Sequence, residues 1–207
     1  MKWPVVMAPE ANDSPDSPDS PDSPPPADWL SRWDEYYEKS GRREPRLALR
    51  ALLEMWRSEG RAPGLAVDAQ ESALRVVTER VPVEARERLT TQAASFSEVT
   101  LPECDLVWAS LSLPFCPHVD LPPLIGRIKQ ALRKDGVFAA DFYGPRHAWA
   151  GRSEISIVTR EQLEQWLPPL SFQIVERDQD RPTAFDGMQR FHCYDVVASA
   201  GPDHSRT

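Results

Sequence analysis

From residue 64 onward, short apolar runs and helical patterns alternate about four times, and two more runs then follow with only a charged stretch between them. This order limits the fold severely. A strand that is followed by a helix and a second strand must return across the sheet, which makes neighbouring strands parallel and lays helices on both faces. The run GLAVD, Gly64–Asp68, is short and apolar like a buried parallel strand. Residues 71–81 predict a helix with Leu74, Val77 and Val81 on one face and Pro82 as its stop. Leu89–Ala93 is a weaker strand and 105–110 a stronger one. Residues 120–133 predict a helix with Pro122 and Pro123 in its first turn, and Gly136 launches a strand over 137–141. Thr159 followed by Gln162 has the spacing of a capping box, opening a helix that carries Leu163, Trp166 and Leu167. Residues 172–176 and 191–198 read as strands, and the charged segment 177–190 as the loop joining them. The expectation is an α/β fold: a doubly wound, mainly parallel sheet of about six strands with an antiparallel C-terminal strand.

The N-terminal region has a different texture. Asp-Ser-Pro occurs four times between Asp13 and Pro24, and Pro25 and Pro26 follow. Such a tract has no apolar face and lacks a backbone donor at every third position, so it predicts an extended, solvated chain. Residues 1–27 are therefore expected to be a disordered leader outside the fold, either solubilising or a docking and phosphorylation tail for a protein partner. Residues 28–199 form the expected α/β domain and 200–207 a polar tail. Within that domain Asp28 caps a helical pattern of Trp29, Trp33, Tyr36 and Tyr37, which Gly41 ends. A second pattern begins near Pro45, carries Leu49, Leu52, Leu53 and Trp56, and ends at Gly60.

A net charge of -8 disfavours nucleic acid and anionic membranes, whose affinity would have to come from cations. No apolar run approaches the roughly 18 residues of a spanning helix, and the WPVVMA patch is too short and Pro-broken for a signal peptide. A cytoplasmic location is expected. The three scattered cysteines, Cys104, Cys116 and Cys193, make no disulfide framework, and Cys104 and Cys193 lie in apolar strand patterns that predict buried, inert thiols.

In a mainly parallel sheet, ligands lie beyond the carboxyl ends of the strands. The places to search follow Asp68, Ala93, Ser110 and Asp141. The stretches WDEYYEKSGRREPR, AVDAQESAL, QAASF, DLVWASLSLPFC, ALRKDGVFAADFYGPRHAWAG and RFHCYDVVA run in one order over most of residues 33–198. In that order the chain resembles the class I S-adenosylmethionine-dependent methyltransferases, in particular the small tellurite-resistance-like type. The resemblance implies a Rossmann-like sheet, S-adenosyl-L-methionine as cofactor, and methyl transfer to a small-molecule acceptor.

It also implies roles for residues. Asp68 matches the acid that ends the second strand and accepts from the ribose hydroxyls, a charge-assisted bond of about 1.5–3 kcal/mol; the residues alone would equally suit a helix cap, worth about 0.3–1 kcal/mol. Ala69 follows it. Ser95 stands where the family presents an acid to the adenine amino group, with Phe96 against the ring, while Ala109 and Ser110 line the cofactor from the fourth strand. Trp33 and Tyr37 lie in the segment that folds over the cofactor in similar enzymes.

One motif departs from the family. The glycine-rich first turn should precede the ribose acid by about 20 residues, but that count lands in LRALLEMW, which has no glycine. GLAVD thus stands where the family has two strands and a helix, as if one central βα unit had been lost between two similar Ala-Val-Asp ends. The expected arrangement puts GLAVD mid-sheet between Leu89–Ala93 and 105–110, with the cofactor cradle reshaped or crippled. Resequencing the locus would show whether the gap is real.

Methyl transfer is driven largely by positioning, so sequence names no catalytic residue. Tyr143, Arg146 and His147 follow a strand end on the expected acceptor side. Cys116, His118, His192 and Cys193 supply four metal-ligand types, but without the paired spacing of zinc sites, so no metal is expected. Two other readings stay open: a non-catalytic scaffold that keeps the fold, and a chain too damaged to fold stably.

Overall fold

In the computed structural model, residues 3–7 and 64–201, apart from 82, 111 and 184–186, are described. Among the described residues seven strands are formed: β1 Trp3–Met7, β2 Gly64–Asp68, β3 Leu89–Ala93, β4 Cys104–Ala109, β5 Leu132–Tyr143, β6 Ser171–Thr183 and β7 Gly187–Ser199. They make one sheet in the order β3-β2-β1-β4-β5-β7-β6. Strands β1 to β5 pair in parallel, and β7 runs antiparallel to both β5 and β6. The expected α/β class, mainly parallel sheet and antiparallel C-terminal strand are all present, and all six expected strands form.

The seventh strand corrects the sequence reading twice. Trp3–Met7, set outside the fold as part of a leader, is an interior strand of the sheet, third in the order. It pairs Val5, Val6 and Met7 with Leu65, Ala66 and Val67 on one side, and Pro4 to Met7 with Leu106 to Ala109 on the other. GLAVD therefore does not touch the 105–110 run; β1 separates them. The physical reason is that a strand flanked on both sides reads as a continuous apolar run rather than an alternating one, and five residues suffice. Pro4 sits near the strand's start, beside a register shift between Trp3 and Pro4, where a missing donor is tolerated. The expected helices of 28–41 and 45–60, the remainder of the leader, and Trp33 and Tyr37 lie outside the described residues.

A third correction concerns 177–190, expected to be a loop. Most of it is paired strand, because β6 and β7 continue as a hairpin to Thr183 and Gly187. Its charges meet partners across or beside the ladder: Arg177 with Asp195 at 2.5 Å, and Arg190 with Asp178 at 2.5 Å.

Helices α1 Glu71–Arg80, α2 Val83–Arg86, α3 Leu121–Ala131 and α4 Arg160–Trp166 accompany the sheet. In α3, Leu121, Leu124, Ile125 and Ile128 recur at helical spacing and are fully buried. At α4 the expected capping box forms: the Gln162 backbone N–H donates to Thr159 Oγ1 (3.3 Å), and the Thr159 backbone N–H to Gln162 Oε1 (2.8 Å). Helices α3 and α4 share one core with Val107, Ala109, Phe138, Ala140, Phe142 and Val196. Asp135 adopts a positive φ of 61° and a Cβ at Gly136 would lie 2.8 Å from the Arg133 carbonyl, so this pair sits at the irregularity within β5 where its register with β4 shifts. Among the described residues no helix is long and apolar enough to cross a membrane.

The chain runs from β1 outward to β2 and β3 in one direction, and to β4 and β5 in the other. The strand order thus reverses between β1 and β4, and the crevice beyond their carboxyl ends is where such a sheet takes a ligand.

Candidate functional site

The predicted residues gather along these carboxyl ends, on both sides of β1. Met7, the last residue of β1, is in register with Val67 and Ala109. On the β2 side, half-buried Asp68 ends its strand and its Oδ1 accepts from the Gln70 backbone N–H at 2.8 Å, which fixes the chain entering α1. Ala69, between them, is exposed. The Ala94 backbone N–H donates to the Asp68 carbonyl at 3.1 Å and carries the exit of β3 alongside. Ser95 and Phe96 follow. On the β4 side Ala109 is fully buried, and Ser110 Oγ donates to Asp141 Oδ2 at 2.8 Å.

Two acids here were missed by sequence reasoning. Glu98 Oε2 accepts from Ser95 Oγ at 2.5 Å and from the Ser95 backbone N–H at 3.4 Å. The Ser95 hydroxyl, then its backbone N–H, hold the Glu98 carboxyl below the usual carboxylate range. A carboxylate therefore stands beside Ser95, where sequence alone offers only a hydroxyl. The Ser-x-x-Glu spacing was the available signal. Asp141, buried on β5, could not be paired with Ser110 without the sheet register. Phe96 packs half-buried on the core, its carbonyl accepting from Arg127.

The three acceptor-side candidates part company. Tyr143 is buried at the end of β5 with His147 stacked on it at 3.8 Å, and Trp149 and Phe191 stand edge-on around the pair. Burial, then His192 and Arg152, pushes His147 down to about 4, so its imidazole is neutral at pH 7. The Trp149 backbone N–H donates to His147 Nδ1 at 3.1 Å, which places the ring proton on Nε2. His147 Nε2 and Trp149 Nε1 are both buried without a hydrogen-bond partner. Such a group costs about 1–3 kcal/mol.

Arg146 instead clamps the hairpin. Its guanidinium meets Asp178 and Glu176 at 2.5 Å each, and its backbone N–H donates to Nδ1 of the fully buried His192 at 3.0 Å. The other ring nitrogen, Nε2, donates to Glu176 Oε1 at 2.9 Å. Arg190 first, with Arg146, holds Asp178 down at about 2. Glu176, Asp178 and His192 bring possible ligand atoms within 4.8 Å of one another. Two arginines already neutralise those carboxylates, which makes this an ion-pair network. Of the four residues weighed as zinc ligands, Cys116 and Cys193 are buried thiols, raised to about 12 by burial, and His118 lies edge-on to Trp166. Cys104 is buried as well, and burial raises it to about 11.

Gly144 joins the end of β5 to this network, its N–H donating to the His192 carbonyl at 2.9 Å. A Cβ there would lie 2.3 Å from His192 Cε1 and Nδ1. Gly144→Ala is expected to destabilise the fold by about 1–3 kcal/mol through overpacking. Urea unfolding measures it, and an unchanged midpoint would contradict the packing of His192 on Gly144.

No protein-family model and no curated protein matches the chain. Solved structures do. TehB from Haemophilus influenzae superposes with a TM-score of 0.54 at 12% identity, covering 66% of this chain and 49% of that one. The N-methyltransferase NodS from Bradyrhizobium japonicum, in complex with S-adenosyl-L-homocysteine, gives 0.51 at 14% identity over 68% of this chain and 67% of its own. An O-methyltransferase family 2 protein from Planctomyces limnophilus, in complex with apigenin, gives 0.51 at 12% identity over 96% and 51%. The chain thus spans about half the length of the first and last of these. At these identities the likeness establishes the fold, the Rossmann-like fold of class I methyltransferases.

Proposed function

We propose that this protein is an S-adenosylmethionine-dependent methyltransferase of the small, tellurite-resistance-like type, acting on a small-molecule acceptor. The observation that carries the reading is a pair of carboxylates on adjacent strand ends: Asp68 closing β2, and Glu98 held by Ser95 just past β3.

The residues fit the adenosine half of the cofactor. Asp68 is set to accept from two ribose hydroxyls, Glu98 from an adenine amino group, and Phe96, Ala109 and Ser110 supply the neighbouring walls. The methionine half has no glycine turn to receive it, since no glycine occurs before Gly41. When bound, the cofactor supplies an electrophilic methyl group on a sulfonium. The chain's part is to orient the acceptor and exclude water, which positioning alone makes effective.

Calorimetric titration with S-adenosylmethionine and S-adenosylhomocysteine tests this. Asp68→Ala is expected to weaken binding at least tenfold, about 1.4 kcal/mol, and Glu98→Gln less because that acid is exposed. If Asp68 only fixes the entry to α1, the same variant lowers stability and leaves binding unchanged. A cooperatively folded wild type that binds neither compound would make the protein a scaffold.

A further inference from the structure

We propose that Arg127 is a positioning residue for the adenine end of the cofactor, because its guanidinium holds to α3 the turn that carries Ser95, Phe96 and Glu98. This deepens the reading above, on which it rests for what the turn binds; how the turn is held follows from contacts within the chain. Leaving β3, the chain makes one turn in which the Glu98 and Val99 backbone N–H groups donate to the Ser95 carbonyl at 3.2 and 3.0 Å. Val99, 2% exposed, roots that turn in the core. Packing beyond this root is loose. An open cleft of about 270 Å³ lies between residues 99–101 on one side and Arg127 and Ala131 of α3 on the other. Arg127, half-buried on the helix, donates from Nη2 to the Phe96 carbonyl, 31 positions earlier.

One buried side chain fixes where a turn sits but leaves its tilt open. Glu98 is exposed, so its own burial cannot set its direction. The second tie falls on Phe96, next to Ser95 and two residues before Glu98. Among the described residues no other hydrogen bond joins residues 95–99 to α3. The Arg127 Nε is buried without a hydrogen-bond partner, so the Phe96 carbonyl is the acceptor this guanidinium has among the described residues. Glu103, on the cleft wall, pairs instead with Arg133 at 3.6 Å. A guanidinium keeps its charge throughout the neutral range, so the bond is charge-assisted whatever the pH. With it, the Glu98 carboxylate is held where an adenine amino group can donate. Without it the turn pivots about Val99 and the carboxylate moves away.

Two measurements on the full chain test this. In hydrogen exchange, Arg127→Met is expected to speed the Glu98 and Val99 amides by about tenfold while the amides of α3 keep their wild-type protection. In calorimetric titration, S-adenosylhomocysteine is set against S-inosylhomocysteine, whose base lacks the amino group assigned to Glu98. Arg127→Met should weaken the first about fivefold and the second less than about twofold, and Arg127→Lys should restore part of the difference. Glu98→Gln should remove the same preference, and adding Arg127→Met to it should change the preference no further. A merely structural arginine would lower the thermal midpoint and move both nucleosides together. Unchanged turn amides, equal weakening of both nucleosides, or a wild-type preference in Arg127→Met would overturn the inference. Unchanged turn amides with normal cofactor binding remove Arg127 alone. A wild type that binds neither nucleoside, with faster turn amides in the variant, keeps the tie and removes its adenine role together with the methyltransferase reading.

Discussion

Removal of residues 1–7 is expected to abolish the cooperative thermal unfolding transition. These residues supply β1, which is in register with β2 over three residue pairs and with β4 over five. Without it the sheet divides into β3-β2 and β4-β5-β7-β6, and two interior strands present unpaired backbone edges. Each buried backbone group left unmade costs about 1–3 kcal/mol, and a domain has only about 5–15 kcal/mol in total. A few such groups exhaust that margin. Calorimetry and far-ultraviolet circular dichroism on the shortened chain measure the result. A truncated protein with the full chain's transition would mean that β2 pairs directly with β4, the arrangement expected from sequence. A milder probe is Val6→Pro, which removes one central donor and should cost about 3 kcal/mol or more.

The second large effect is expected at Phe138. This residue is fully buried on β5, between Val107 of β4 and Ala198 of β7 in the register. Its ring belongs to the core shared with α3 and α4. Phe138→Ala removes the apolar transfer energy and leaves a cavity, for about 3–5 kcal/mol. For a chain of this size that lowers Tm by on the order of 10 °C. Phe138→Leu, which refills most of the volume, should cost clearly less. Equal midpoints for wild type and Phe138→Ala would contradict a core centred on this strand.

The legible parts of this fold are those whose signal is local. The capping box at Thr159 and Gln162, the amphipathic face of α3 and the six apolar strands each depend on residues a few positions apart, so pattern and period suffice. The carboxylate of Asp68 was legible for the same reason, as the polar end of an apolar run. Glu98 was half legible: its spacing from Ser95 is visible, but its place beside β2 depends on which strand β3 joins. His147 was picked as a loop residue. That it is buried, neutral and stacked on Tyr143 follows from the packing of Phe191 and Trp149, which come from another strand and a turn.

The sequence by itself determined the class of the fold, because alternating apolar strands and helices have few ways to bury both faces of a sheet. Tertiary structure alone decided which strand separates β2 from β4. Parallel neighbours are joined by main-chain bonds that carry no residue code, so the five residues of WPVVM could be recognised as an interior strand only once their partners on both sides were in place. It decided the fate of the charges as well: Arg146 is spent on Glu176 and Asp178 while Arg152 is not, a difference set by the reach of a hairpin formed from residues thirty positions away.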